Sequence, residues 1–300
     1  MIGCDTFAPD VNGAARFAER LAAGLVVRGH NVHVVAPNTA YRLEDPRTEV
    51  IEDQPMTLHR LPSVRWPPHD WLRFVWPWRS KHYARKVLDS VKPDVVHIQS
   101  HIVLGRGLAR EARKRGIPLV ATNHVMAENI LDFTTLPAFL NRLVVKLAWA
   151  DAKRTFDMTR AITTPTRKAA DFLESTIDLH GVIPISCGID QANYTPDLTP
   201  RDANRILFVG RLTTEKGIDV LLNAVAKLDP ELDATVDIVG SGDQRKNLET
   251  LTHQLGLGTR VTFHGHTSEA DLRALYSRAS VFAIASIAEL QSIATMEAMA

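Results

Sequence analysis

The sequence predicts an α/β protein made of two domains, each built on a parallel sheet flanked by helices. Short apolar runs alternate with amphipathic stretches along most of the 300 residues, as in repeated βαβ units. A chain of this length also exceeds what one hydrophobic core usually organises. A proline-rich polar stretch interrupts the alternation and sets the predicted boundaries: a first domain over 1–193, a linker over 194–204 and a second domain over 205–300.

The first series of elements opens with a helix over 14–28, whose apolar residues recur at helical spacing and which Gly29 closes. Gly116 closes a second helix over 104–115 in the same way, and Pro93 marks the start of a strand over 94–98. The other elements follow the same reasoning, with strands over 31–36, 118–122 and 161–164 and helices over 138–155 and 166–174.

The second series has four short apolar runs separated by helical patterns. The predicted strands cover 205–209, 235–239, 261–263 and 281–285, and the predicted helices cover 217–227, 244–255 and 269–277. Two successive domains of this kind form a cleft at the carboxyl ends of their strands, where such folds bind ligands. The loops that follow the strands are therefore the first place to look for functional residues.

Composition narrows the class of function. Lys plus Arg number 35 and Asp plus Glu number 34, a balance that does not point to nucleic acid. No apolar run approaches the roughly 20 residues that span a bilayer, and no leader pattern opens the chain. Cys4 and Cys187 fit neither a metal site nor a disulfide framework. We expect a cytosolic enzyme with free thiols and no metal, cut short at both ends because both ends interrupt an expected element.

Two cations follow the first strand of the second series. Arg211 lies directly after the strand and its glycine, and Lys216 lies just before the next helix. Cations at this edge, beside a helix amino terminus, suit a diphosphate. A solvated loop with incidental charges is the alternative. Gly240 opens a glycine-containing turn after the next strand, a pattern that is equally typical of an ordinary turn.

A stronger pattern lies at residues 286–300. Glu289 occupies the loop after the last strand, and Glu297 lies on the helix that follows. The helix start offers N–H groups to an anion, whereas the carboxylates can accept hydrogen bonds from sugar and ribose hydroxyls. Either glutamate alone would be read as an exposed charge. The two together, after a strand and beside the two cations, indicate a nucleotide-sugar site.

These motifs resemble family 4 glycosyltransferases of the GT-B fold, whose second domain carries two glutamates separated by seven residues. The resemblance covers nearly the whole chain: residues 5–14 are similar to the first loop of that family, with Gly13 facing the donor phosphate. Residues 186–190 are similar to the segment before the linker, and His124 occupies the position of a histidine near the transferred sugar.

The resemblance implies a metal-independent enzyme that transfers a hexose with retention of configuration and without a cofactor besides its nucleotide-sugar. Glu289 would contact the sugar, Glu297 the ribose, and Arg211 with Lys216 the leaving diphosphate. Further contacts to the donor are implied for Gly13, Gly240, His266, Ser292 and Ile293, while His124 would orient the sugar. Family members of this type use GDP-mannose or a UDP-hexose. Ser292 replaces the usual glycine and Cys187 the usual asparagine.

An arginine- and tryptophan-rich segment over 60–86 suggests the acceptor. Arg with Trp suits an anionic membrane surface, where indole lies at headgroup depth. Residues 122–129 are also similar to bacterial diacylglycerol glycosyltransferases of the family. We therefore expect a lipid or glycolipid acceptor and a peripheral location on the inner face of the cell membrane. The predicted membrane contacts are Arg65, Trp66, Trp71, Arg73, Trp76, Trp78, Arg79 and Lys81.

Other readings of the same residues remain open. The segment over 60–86 could be a loop whose tryptophans pack on the domain and whose arginines are solvated. The enzyme could act on a soluble small molecule or glycan instead of a lipid. A sugar-nucleotide epimerase of the same fold would need a similar donor site, and an inactive donor-binding fragment would need no acceptor at all.

Overall fold

The chain folds into two compact units, one over Met1–Cys187 and one over Gly188–Ala300. The computed structural model describes residues 1–10, 12–66, 69–124, 138–194 and 201–300. Each unit has a parallel sheet and its own buried apolar clusters, so the two-domain α/β prediction is confirmed. The first unit ends at Cys187, before the predicted linker over 194–204. Residues 195–200 of that linker lie outside the described ranges, so the predicted domain bounds stay a prediction.

The first unit is built on an eight-stranded sheet with a separate two-stranded hairpin. The strands are β1 (Ile2–Gly3), β2 (His33–Pro37), β3 (Arg47–Ile51), β4 (Gln54–Leu61), the hairpin strands β5 (Val64–Trp66) and β6 (His69–Phe74), β7 (Val96–Ile98), β8 (Leu119–Thr122), β9 (Ala161–Thr164) and β10 (Ile183–Pro184). The sheet order is β10-β9-β8-β7-β1-β2-β4-β3, parallel except for the antiparallel pair β3 and β4.

Helices cover both faces of this sheet. They are α1 (Gly13–Val27), α2 (Pro77–Val91), α3 (Val103–Lys114), α4 (Ala138–Phe156) and α5 (Arg167–Ile177). Val34 and Val35 show the alternation: Val34 packs in a cluster with Ala18 and Ala22 of α1, whereas Val35 packs in a cluster with residues of the other four helices. The sheet is thus buried on both sides, as parallel sheets are.

Local signals explain where the helices begin and end. Asn12 caps α1, since its side chain accepts a hydrogen bond from the Ala15 amide at 2.9 Å. Thr166 caps α5 by accepting from the Ala169 amide at 3.1 Å. Gly29 adopts a φ of 83° after α1, which the predicted glycine cap requires. These caps lie within two residues of the boundaries that the sequence predicts.

Residues 47–91 hold most of the structure that the sequence prediction missed. They form β3, β4, the β5–β6 hairpin and the 15-residue helix α2. α2 buries Tyr83, Ala84, Val87 and Leu88, an apolar stripe at helical spacing. The described part of the arginine- and tryptophan-rich segment over 60–86 is therefore a strand end, a hairpin and the first two thirds of α2.

The second unit has a smaller sheet in which every described strand pair is parallel. Its strands are β11 (Arg205–Val209), β12 (Thr235–Val239), β13 (Val261–Gly265) and β14 (Val281–Phe282), in the order β13-β12-β11-β14. Its helices are α6 (Ile218–Val225), α7 (Arg245–Gln254), α8 (Glu269–Arg278) and α9 (Ile293–Met299). All predicted elements of this half are present, and the last strand ends after Phe282 instead of continuing to residue 285.

The direction of these strands places their following loops at one edge of the sheet. β11, β12 and β14 run parallel, so the loops that hold Arg211, Gly240 and Glu289 all leave from their carboxyl ends. Ile238 packs toward α6 and α7, and Leu207 packs with Leu275 of α8. None of the helices in the described ranges combines the length and apolar character needed to cross a membrane.

Candidate active site

The loop after β11 positions the two predicted cations. Arg211 follows Gly210 directly, and Lys216 ends a 3-10 turn over Thr214–Lys216. Gly217 comes next with a φ of 61°, and a Cβ atom there would lie 2.4 Å from the Ala285 carbonyl oxygen. Glycine is therefore required at 217, because only its lack of a side chain lets the loop after β14 approach this turn.

The loop after β14 brings Glu289 to Lys216. The Ile287 amide donates to the Glu215 carbonyl at 3.0 Å, which ties the two loops together. The Lys216 ammonium group donates to Glu289 Oε1, and the two side chains are only 15% and 27% exposed. Residues 73 positions apart in the sequence thus form one ion pair, as the shared sheet edge predicts.

Arg211 lies beside this pair and is partly buried, with its side chain 30% exposed. Its guanidinium donates to Glu215 Oε1 at 3.3 Å. Burial lowers the pKa of Arg211, and the neighbouring carboxylates of Glu215 and Glu289 oppose that shift. A cation withdrawn from water interacts more strongly with an anion than a solvated one does. The sequence prediction missed Glu215, although it lies between the two cations in the same turn.

Gly240 has a packing role. Its φ is 133°, and a Cβ atom there would lie 1.9 Å from the Gly210 carbonyl oxygen. Hydrogen bonds join the same loops, from the Gly210 amide to the Val239 carbonyl at 3.0 Å and from the Leu212 amide to the Ser241 carbonyl at 2.9 Å. Gly240 therefore holds the loops after β11 and β12 together, and with them the position of Arg211.

Helix α9 carries the remaining predicted donor residues. Ser292 is its N-cap, and the Ser292 hydroxyl oxygen accepts from the Thr295 amide at 3.2 Å, so serine has a structural use where the family resemblance expects glycine. Ile293 is the first helical residue. Glu297 lies on α9 and accepts a hydrogen bond from the Tyr276 hydroxyl at 3.1 Å.

The histidine on β13 and the histidine just after it differ in their surroundings. His264 Nε2 lies 2.6 Å from Oδ1 of the buried Asp237 carboxylate. Arg205 donates to the same carboxylate, so His264 is part of a hydrogen-bonded network within the sheet. His266 is exposed after the end of β13.

His124, in the first unit, follows β8. Its Nε2 lies 3.2 Å from Oε1 of Gln99, which follows the neighbouring strand β7, and its ring centroid lies 4.8 Å from that of Phe17 on α1. Burial, with a smaller effect of His97, lowers the pKa of His124 to about 4. The imidazole is thus neutral near pH 7 and can form hydrogen bonds without carrying charge.

Gly13 begins α1 at the exposed start of the helix. The Thr6 hydroxyl donates to Asn12 Oδ1 at 3.4 Å, which ties the helix start to the preceding loop. Asp5 anchors the loop itself, since its carboxylate accepts from the Ser100 hydroxyl and, at 3.1 Å, from the Leu104 amide. The predicted first loop is therefore held to the amino terminus of α3.

The predicted membrane residues do not all face outward. Arg73 donates to the Asn38 carbonyl at 3.3 Å, so its guanidinium serves the domain itself. Trp76 is half-buried and stacks on Trp78, which is 69% exposed, with ring centroids 4.7 Å apart. Arg65, Arg79 and Lys81 are exposed. The side chains of Trp66 and Trp71, and residues 125–129 of the other lipid-related segment, lie outside the described part.

A cavity near α2 joins the predicted Lys81 to three basic residues of α3 that the sequence prediction missed. It is lined by Met158 and by four cations: Lys81 of α2 and Arg110, Arg113 and Lys114 of α3. Lys81 and Arg113 have no ion-pair partner among the described residues. Within those same residues, no cluster of three or more His, Cys, Asp or Glu side chains could hold a metal ion.

Models of known protein families match both halves of the chain. The model of Glycosyltransferase Family 4 matches residues 11–193, and that of Glycosyl transferases group 1 matches residues 192–300. The chain belongs to glycosyltransferase family 4. Gly13 and His124 lie within the first matched range, and the paired glutamates with their two cations lie within the second.

Two named relatives are similar to most of this chain. The chain is 28% identical over 267 residues to a GDP-mannose-dependent alpha-mannosyltransferase of Corynebacterium glutamicum, covering 83% of this chain and 59% of that protein. It therefore spans less than two thirds of that relative. It is 25% identical over 314 residues to an alpha-monoglucosyldiacylglycerol synthase of Acholeplasma laidlawii, covering 99% of this chain and 76% of the relative.

A solved structure shows the fold. Sucrose-phosphate synthase from Thermosynechococcus elongatus superposes on this chain with a TM-score of 0.77 at 19% identity, and the superposition covers 99% of this chain and 78% of that structure. The GT-B prediction for this family 4 glycosyltransferase is confirmed by such likenesses.

Proposed function

We propose that this family 4 glycosyltransferase transfers a hexose from a nucleotide-sugar to a lipid acceptor, with retention of configuration and without a metal ion. The observation that carries the proposal is the meeting of Arg211, Lys216 and Glu289 at the carboxyl edge of the second sheet. Two partly buried cations at this edge suit a diphosphate, and a carboxylate beside them suits a sugar hydroxyl.

The ion pairs of the site suggest how a donor would bind. Lys216 forms an ion pair with Glu289, and Arg211 forms one with Glu215. A diphosphate would compete with these carboxylates for the two cations. Lys216 would then contact phosphate, while Glu289 turns to the hydroxyls of the hexose. The cost of opening the pairs is offset by the charge that the two phosphates bring.

In the transfer step, the bond between the anomeric carbon and the diphosphate oxygen breaks, and the acceptor hydroxyl oxygen bonds to the same face of that carbon. The acceptor proton passes to an oxygen of the leaving diphosphate. Arg211 and Lys216 stabilise the charge that develops there, so side chains supply what a divalent cation supplies elsewhere. Neutral His124 is proposed to bind a hydroxyl of the sugar, and Glu297 the ribose.

Donor and acceptor are proposed from the relatives together with the surface of the first unit. GDP-mannose is the first candidate donor, with a UDP-hexose second, since similar proteins are named for GDP-mannose and for glucosyldiacylglycerol. Exposed Trp78 and the basic cavity of α2 and α3 suit an anionic membrane surface. We accordingly propose diacylglycerol or a glycosyl-diacylglycerol as acceptor and a peripheral location on the inner face of the cell membrane.

A transfer assay tests the donor and acceptor together. Radiolabelled GDP-mannose and UDP-glucose are each incubated with the protein in EDTA, with diacylglycerol vesicles, with soluble sugars or with no acceptor. We expect label in the lipid phase with an α-linkage by NMR. Label in a soluble product would show that the acceptor is soluble and not a lipid. Conversion of the donor sugar without any acceptor would show that the protein is an epimerase. No turnover of either donor would contradict the proposal.

Membrane contact has its own test. Sedimentation with vesicles of phosphatidylglycerol and phosphatidylcholine should show binding to the anionic lipid at low salt. The paired substitution Lys81→Glu with Arg113→Glu should weaken it, because both cations face one cavity. Lys168→Glu with Lys227→Glu, exposed lysines elsewhere, is the matched control. Equal binding to neutral vesicles, or equal loss in both variants, would count against this surface.

A further inference from the structure

We propose that Tyr276 is a positioning residue for the nucleotide ribose: its hydroxyl orients the Glu297 carboxylate toward the ribose diol. This inference rests on the proposed function, because it takes Glu297 as the ribose contact. Nothing in the sequence pattern drew attention to Tyr276, which lies on α8, 21 residues before Glu297.

The geometry joins two helices through one hydroxyl group. Tyr276 donates to Glu297 Oε2 at 3.1 Å and lies 3.3 Å from the Ala294 carbonyl oxygen, both on α9. The Tyr276 ring packs against the cluster that holds Leu275 and lies 6.0 Å from the ring of Phe282. The ring is thus fixed by apolar contacts, which leaves the hydroxyl as the part that acts on α9.

The Tyr276 hydroxyl stays protonated at neutral pH and can therefore donate. Burial raises the pKa of Tyr276, and the nearby charge of Glu297 raises it further. A hydrogen bond from a neutral hydroxyl to a carboxylate is charge-assisted and directional. The Tyr276 hydroxyl therefore holds the Glu297 carboxylate in one rotation about its terminal bond.

That rotation matters because a vicinal diol is recognised by two hydrogen bonds of defined geometry. A carboxylate can accept both only when its plane faces the diol. α9 is a helix of seven residues, capped at its start by Ser292. Its link to α8 through Tyr276 therefore fixes both the helix and the carboxylate that it carries.

The test compares a ribonucleotide with its deoxy counterpart. Calorimetry in EDTA measures the affinity of GDP and 2′-deoxy-GDP, or of the uridine pair if that base is preferred, for the wild type, Tyr276→Phe and Glu297→Gln. Tyr276→Phe keeps the ring packing and removes only the hydroxyl. We expect it to weaken the ribonucleotide about 5- to 20-fold and the deoxynucleotide less than about 2-fold.

Two further variants keep the result interpretable. Glu297→Asp shortens the side chain, so its carboxylate no longer reaches the Tyr276 hydroxyl. The affinity lost in this variant should therefore not add to the affinity lost in Tyr276→Phe when the two are combined. Tyr83→Phe removes the hydroxyl of a buried tyrosine in the first unit and should leave both affinities unchanged. Together they separate orientation of the carboxylate from a general loss of packing.

Each other outcome has a defined meaning. Equal weakening of both nucleotides by Tyr276→Phe, or full additivity with Glu297→Asp, would overturn the positioning role and leave the donor site intact. Equal weakening of the ribonucleotide and the deoxynucleotide by Glu297→Gln would show that Glu297 does not contact the ribose, which removes the basis of the positioning role. Absence of binding by any nucleoside diphosphate would overturn the proposed function itself.

Discussion

Glu19 makes a sharp prediction about stability, since it is a carboxyl group buried beneath the first loop. It lies on α1 at 5% exposure. Burial raises its pKa to about 7 from an ordinary value of 4.5, against the lowering effect of Arg16 and with a further rise from Glu52. The folded protein therefore favours the protonated form, and the charged form is a cost that the unfolded chain does not bear.

The sign and size follow from that difference in pKa. Below pH 4.5 the group is protonated in both states and folding is unaffected; as the pH rises toward 7, the unfolded chain ionises first and stability is lost. At about 1.4 kcal/mol for each pKa unit, the full loss is about 3 kcal/mol above pH 7. Glu19→Gln removes the titration, so it should stabilise the protein at pH 8 by up to about 3 kcal/mol and at pH 4.5 hardly at all.

Urea unfolding at pH 4.5 and pH 8 measures this. The five tryptophans at 66, 71, 76, 78 and 149 all lie in the first unit, so their fluorescence reports the unfolding of that unit. Glu52→Gln is the matched control, because Glu52 lies 3.6 Å from the same Arg16 with its side chain 35% exposed. The control should change stability by less than about 1 kcal/mol. Equal stability of Glu19→Gln and wild type at both pH values would refute the reasoning.

The remaining predictions concern the loops and the histidine. Gly240→Ala should destabilise the second unit by about 3 kcal/mol or more, because its Cβ would lie 1.9 Å from the Gly210 carbonyl oxygen. Gly116→Ala is the control: φ is 67° there and nothing lies within 4 Å, so it should destabilise the first unit by only about 1 kcal/mol. Thermal unfolding measures both. Equal costs would contradict the close approach of the two loops. The imidazole NMR signals of His124, assigned with a His124→Gln variant, should not move between pH 8 and 6, because its pKa is lowered to about 4; a midpoint near 6.5 would show that the ring is solvated instead.

Much of the architecture could be predicted because parallel strands leave a simple pattern. Strands such as β11 and β12 are continuous apolar runs bounded by turn residues, and the structure begins and ends them where the sequence predicts. β3 and β4 were missed since they mix polar and apolar residues, as in Arg47–Ile51. α2 was missed because its cations and tryptophans suggested a surface, although its buried stripe has helical spacing.

The candidate site divides in the same way. That Arg211, Lys216 and Glu289 lie at one sheet edge follows from strand direction, which sequence can predict. The ion pair of Lys216 and Glu289 depends on the close approach of Gly217 to the Ala285 carbonyl, a contact between loops far apart in the sequence. Strand direction alone does not predict that contact. Tyr276 left no signal because a tyrosine in an apolar helix stripe looks like any core residue.

The most direct test of the donor site is the binding of GDP and UDP to Lys216→Ala in EDTA, measured by calorimetry against the wild type. Removing a charge-assisted contact to phosphate should weaken the preferred nucleotide by about 10- to 100-fold. Lys227→Ala, an exposed lysine of the same unit, should bind as the wild type does. Binding of neither nucleotide to the wild type, or equal affinities of the Lys216→Ala and Lys227→Ala variants, would contradict a diphosphate site at Arg211, Lys216 and Glu289.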